Sequence, residues 1–173
     1  MSCFTPDLGK IKIKARGARK PISKMAPFLE YFSILKIYFT GKKEIKVLTN
    51  LKQEKIFNAI QQDFRKTNYA YFLLELTEKS LALEKPQKEE IFELLTSGME
   101  ALDRLKRKEE EKKIIFLYTL KLFYLLGYLE NYKIKKSELA NIDFLRTKAQ
   151  KVFQDVLEKN LKSWEMLEKF DLL

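Results

Sequence analysis

The hydrophobic period changes once along this chain, and that change constrains the fold more than any other feature. Up to about Asn50 the apolar residues recur at every second position; beyond it they recur every three to four. Strands therefore come first and helices second. This predicts an α+β chain with its elements segregated, a sheet part over about 4–50 and a helical bundle over about 51–173.

In the first part, Leu8 to Ala15 alternates strictly. Ile11, Ile13 and Ala15 share one face, and Lys10, Lys12 and Lys14 share the other. Arg16-Gly17-Ala18-Arg19-Lys20-Pro21 breaks the alternation and reads as a turn. After Pro27, FLEYFSILKIYF places Leu29, Tyr31, Leu35, Ile37 and Phe39 on one face, with Glu30, Phe32, Ile34, Lys36 and Tyr38 opposite. Thr40-Gly41-Lys42-Lys43 makes a hairpin loop and EIKVLT pairs back. Three antiparallel strands bury little alone, so they must pack on the helices.

The helical part divides into Gln53–Phe64, Thr67–Ala82, Gln87–Leu105, Glu110–Leu126 and a pair between Ser137 and Phe170. Pro86 fits a helix start and Gly127 a C′ position. FLYTLKLFYLLGY is apolar nearly all round, as expected of a buried central helix. The run KRKEEEKK, Lys106 to Lys113, reads as a solvated helix junction with pairs at i,i+4 spacing.

Charge separates the two parts further. Residues 1–50 hold eleven Lys/Arg against three Asp/Glu, so they carry +8 of the net +10. Seven bases lie between Lys10 and Lys24 with no acid among them. Lysines on a strand face are ordinary protection for an edge, but Arg16, Arg19, Lys20 and Lys24 go beyond that need and point to a polyanion. Only six of the 34 bases are arginine. Lysine acts as a point charge, so the balance favours sequence-independent contact with a phosphate backbone over readout of base edges. Tyr38, beside lysines on the same face, is a candidate for stacking on a base; Phe32 is expected to pack on the helices.

Other chemistry is excluded by what the chain lacks. One cysteine, Cys3, and no histidine leave no internal disulfide, no Cys/His zinc site and no histidine acid–base catalysis. Lys162-Ser163 has no preceding GxxxxG, so it is not a phosphate loop. No cofactor is implied, and the chain reads as a binding protein, not an enzyme. The N-terminal MSCFTPDLG has no signal-peptide pattern, and the apolar run from Ile114 to Leu129 is interrupted by Lys121 and Gly127. A cytoplasmic, nucleoid-associated protein is expected.

The segment FTPDLGKIKIKARGARKP resembles the "FT…GxxxxxAKGARRP" segment of the bacterial DNA repair and recombination mediator family RecO. PFLEYFSILKIYFTGKKEIKVLTN is similar to that family's "PFxxLxLxLYxGRGxLxTLTxxE" strand pair. The resemblance continues through NYAYFLLELTEKSLALEKPQKEEIFELLTSGMEAL, FLYTLKLFYLLGYLENY and LEKNLKSWEML, in the family's order and spacing. It implies an N-terminal OB-fold followed by a helical domain. It also implies binding of single- and double-stranded DNA, strand annealing, partnership with RecR and with the acidic tail of the single-stranded DNA-binding protein, and help in loading RecA in the RecF pathway after DNA damage. Lys14, Arg16, Arg19 and Lys20 fall on the "AKGARRP" positions; Lys10, Lys12 and Lys24 join them on charge alone. Two other readings remain open: a helical adaptor that docks the acidic tail with a degenerate OB part, and a generic RNA-binding OB protein.

Two departures from the family pattern carry expectations of their own. The family's first strand, and nearly all of its second, would precede Phe4, where only MSC stands. Either the start is truncated or misassigned, or the five-stranded barrel is incomplete; an open half-barrel would leave Ile11, Ile13 and Leu35 exposed. The CxxC…CxxC zinc module that follows the LLGY helix in many members is replaced by YKIKKSELANIDFLRTKAQ, without cysteine. Plain helix packing is expected there, with no metal.

Overall fold

The computed structural model describes residues 2–16, 32–41, 46–82, 89–129, 134–156 and 161–173. Among these residues four strands come first: β1 (Ser2–Thr5), β2 (Gly9–Lys14), β3 (Ser33–Thr40) and β4 (Lys46–Ile56). Seven helices follow among them: α1 (Asn58–Gln62), α2 (Phe64–Ser80), α3 (Glu89–Arg104), α4 (Lys108–Leu125), α5 (Lys136–Ala140), α6 (Ile142–Val156) and α7 (Lys162–Lys169). The chain is α+β, with an OB-like sheet ahead of a helical domain. No helix among the described residues is long and apolar enough to cross a membrane.

The sheet runs in the order β1-β2-β4-β3. The β1/β2 and β3/β4 pairs are antiparallel, but β2 and β4 are parallel, with Ile13 opposite Lys46 and Lys14 opposite Val47. The antiparallel expectation is thus corrected for one pair. A parallel neighbour needs a connection of a dozen residues or more, and the chain between Lys14 and Lys46 supplies it. β1 adds a strand that the alternation does not reveal: Cys3 and Phe4 pair with Ile11 and Lys10 across a tight turn.

The helix expected from Gln53 is corrected as well. β4 continues to Ile56, pairing Gln53 with Leu35, Lys55 with Ile34 and Ile56 with Ser33. The long β3 edge needs partners for its backbone groups, and that demand overrides the helical pattern of LKQEKIF. The short α1 that remains has no cap of its own; Asp103 of α3 accepts from the amides of Ala59 and Ile60 at 2.9 and 3.1 Å.

Two apolar cores result. The small one holds Ile11, Ile13 and Leu48, with Cys3, Ala15, Ile37, Phe39 and Leu51 packed around them. Ile11 is 1% exposed and Ile13 3%, and Leu35 is half-buried, so the expected exposure of an opened barrel does not occur. The sheet's inner face closes over its own isoleucines instead. Its register shifts, between Ile34 and Leu35 and between Tyr38 and Phe39, are irregularities of the kind that increase twist.

The large core lies among the helices and includes Phe32, which is buried against Tyr71 with ring centroids 5.0 Å apart, as expected. Helix α4 buries Ile115, Phe116, Tyr118, Leu122 and Phe123 and is the central helix. It ends as anticipated at Gly127, whose φ of 86° permits the Tyr128 amide to close back on the Phe123 carbonyl.

Helix α7 docks through one carboxylate. It has no side-chain cap of its own, and Glu75 of α2 accepts from the Ser163 amide at 2.8 Å and the Ser163 hydroxyl at 2.6 Å. Burial pushes the Glu75 carboxyl up, but the Ser163 hydroxyl and amide, the Lys162 amide and Lys79 outweigh it and hold the pKa below its ordinary value. A depressed carboxylate contributes stability that is full above its unfolded pKa, about 4.3, and is lost as pH falls through the lower folded value. Trp164, the only tryptophan, stacks on Phe153 in this helix interface, centroids 5.3 Å apart. Its fluorescence on acidification should therefore report α7 loosening, and Glu75→Gln should remove that step while weakening the docking at neutral pH.

Candidate nucleic-acid interface

The alternation in β2 is realised as buried isoleucines against exposed Lys12 and Lys14, and Arg16 is exposed just past the strand. Lys10 differs from its neighbours. Its ammonium donates to the Glu78 carbonyl at 2.7 Å and lies 3.6 Å from the Glu78 carboxylate, with the side chain 17% exposed. It ties β2 to α2. Arg19, Lys20 and Lys24 lie outside the described residues.

The register shows what else shares the lysine face. Lys14 is opposite Val47, Val47 is opposite Thr40, and alternation along β3 brings Tyr38 and Lys36 to the same side. Across from them on β4 stand Asn50 and Lys52. The outer face thus carries Lys12, Lys14, Lys36 and Lys52 together with Tyr38, which is 46% exposed. The Lys36 ammonium is 5.9 Å from the Tyr38 ring centroid. Like charges directly opposite on neighbouring strands repel, and Lys36 and Lys52 are such a pair.

Other residues of this face meet the helices. Phe4 packs on Phe92 of α3 with centroids 5.7 Å apart, Ile34 reaches the large core, and Lys55 is ion-paired with Glu100 of α3. The face is divided into a docked part and an open basic part. Lys36 and Lys52 were not singled out from the sequence. Lys36 could have been, since it alternates with Tyr38; Lys52 was hidden by the helical reading of the residues around it.

The second charge run is different in kind. Lys106, Arg107, Lys108 and Glu109 are exposed, and Arg107 and Glu110 approach to 3.9 Å. Glu111, however, is buried and points inward, which corrects its assignment to a solvated junction. Its carboxylate accepts from Arg65 Nε at 2.6 Å and lies 4.0 Å from the Lys66 ammonium. That hydrogen bond, with the nearby acids, raises the Arg65 pKa above an already high value. Among the described residues no group of acidic or cysteine side chains could hold a metal ion.

Two family models match this chain: the N-terminal region of recombination protein O over residues 1–57, and its C-terminal region over residues 61–130. The chain belongs to the RecO family. A protein of Syntrophomonas wolfei named DNA repair protein RecO is 29% identical over 128 residues, covering 74% of this chain and 50% of the relative. The RecO protein of Caldicellulosiruptor saccharolyticus is 26% identical over 164 residues, covering 92% and 66%. That of Desulfatibacillum aliphaticivorans is 37% identical over 117 residues, covering 66% and 45%. The chain spans about half to two thirds of the length of these RecO relatives. The first RecO region takes in the whole four-stranded sheet, and the second begins within α1 and ends after α4.

Proposed function

We propose that this chain is a DNA-binding recombination mediator that binds single strands without sequence preference through the open basic face of its sheet. The observation that carries the reading is Lys12, Lys14, Lys36 and Lys52 on one face, with Arg16 just beyond β2. Lysines there neutralise phosphates and release condensed counterions. Two strands coated in this way repel each other less, which is the physical basis for annealing complementary strands. Membership of the RecO family supports duplex DNA as a further ligand, and RecR and the acidic tail of the single-stranded DNA-binding protein as partners, with RecA loading as the outcome. The chain works by binding and supplies no catalytic group. The docked part, through Phe4, Lys10 and Lys55, holds the sheet on the helical domain, where protein partners would find their surface.

Titration of fluorescent oligonucleotides of several sequences across a salt series tests this. Five phosphate contacts give a log–log slope of about −3 to −4 for single strands, with little difference between sequences. Binding that ignores salt would rule out the electrostatic face, and a strong preference for RNA over DNA of equal sequence would replace the ligand.

A further inference from the structure

We infer that Lys36, Lys52 and Tyr38 form a discrete subsite for one nucleotide of a single strand, with its phosphate between the two ammonium groups and its base on the Tyr38 ring. The inference rests on the reading of this face as a nucleic-acid surface and adds what part of the nucleic acid it grips.

Lys36 and Lys52 are directly opposite in an antiparallel pair, which brings their Cβ atoms to within about 5.5 Å. Neither has an acidic partner among the described residues. Two like charges held this close repel each other, and a phosphate between them offsets the repulsion. Tyr38 stands one alternation further along β3, about 7 Å away. Its cross-strand neighbour is Asn50, a small polar residue, and the ring is left 46% exposed. Thr49 anchors the backbone here by donating to the Tyr38 carbonyl at 3.0 Å. From this subsite the face continues through Thr40 and Val47 to Lys14, so among the described residues a strand leaving Tyr38 meets the next positive charge without crossing an acid.

A ring can stack only on a base that is free of its own helix. The subsite therefore predicts a division of labour: the lysines hold any phosphate backbone, whereas Tyr38 counts for single strands alone. The probes are a fluorescent oligodeoxythymidine, an abasic backbone of equal length, and a duplex. Lys36→Gln with Lys52→Gln should weaken all three at 0.1 M salt, by roughly 25-fold for the two single strands and roughly 60-fold for the duplex, and reduce the single-strand salt slope by about 1.4. Tyr38→Ala should weaken oligodeoxythymidine by about 5- to 150-fold and leave the abasic and duplex probes unchanged. Tyr38→Phe should bind like the parent, and Tyr38→Leu, which keeps apolar bulk in the strand but no flat ring, should behave like Tyr38→Ala. Equal losses on all three probes for Tyr38→Ala, or none on oligodeoxythymidine, would overturn the stacking role. Lys12→Gln with Lys14→Gln separates the levels. If that pair weakens binding and the Lys36/Lys52 pair does not, the subsite is wrong but the face stands. If neither pair weakens binding, the whole reading of the face fails.

Discussion

Replacing Glu111 with alanine should destabilise the protein by about 3–5 kcal/mol, as much as emptying a large buried position of the helical core. Glu111 is fully buried at the start of α4 and answers two cations. Arg65 donates to it through Nε at 2.6 Å and Nη2 at 3.4 Å, and Lys66 is itself buried. Removing the carboxylate leaves two like charges facing each other with little water to screen them. Asp63 compensates only in part, since it lies 3.4 Å from Arg65 and already caps α2 through the Arg65 and Lys66 amides. For a chain of this size the loss corresponds to a melting point about 6–20 °C lower. Glu111→Gln should fall between the two, because it keeps hydrogen-bonding capacity but not the charge. A thermal melt of Glu111→Ala that matches the parent within a degree or two would mean that the three groups are solvated.

This inward glutamate marks where the sequence could be read and where it could not. As a run, KRKEEEKK looks solvated because its composition is wholly charged. On the helical wheel of α4, however, Glu111 precedes Ile115 by four residues and Tyr118 by seven, so it falls on the buried stripe. The wheel carried that information and the composition masked it. The β2 alternation was legible because each lysine and isoleucine answers only to its own strand. The parallel β2/β4 pairing was not, because it depends on where the chain returns after more than thirty residues. The reach of β4 to Ile56 was likewise invisible: Leu51, Lys55 and Ile56 fit a helix until β3 is present to demand pairing. That error also concealed Lys52, and with it the pairing of Lys52 against Lys36. The candidate face was thus largely legible: Lys12, Lys14, Arg16 and Tyr38 from local pattern, Lys36 from its alternation with Tyr38, and Lys52 only from register.

The second large effect concerns the basic face itself. Lys12→Glu, Lys14→Glu and Arg16→Glu together should lower affinity for single-stranded DNA by more than about 100-fold at 0.1 M salt. Three lost phosphate contacts account for that factor, and three new negative charges add repulsion. The fold should survive, because all three side chains are exposed and the buried Ile11 and Ile13 are untouched.

Parallel oligonucleotide titrations, with circular dichroism as the check on folding, set this triple variant against Lys106→Glu, Arg107→Glu and Lys108→Glu. The second triple makes the same change of charge on exposed residues at the entry to α4, where added acids suit the helix N-terminus. DNA binding on the sheet predicts that the first triple loses binding and the second stays within about threefold of the parent, since its charges lie outside the contact surface. If the second triple loses binding and the first retains it, the DNA surface lies on the helical domain, and its assignment to the sheet is contradicted.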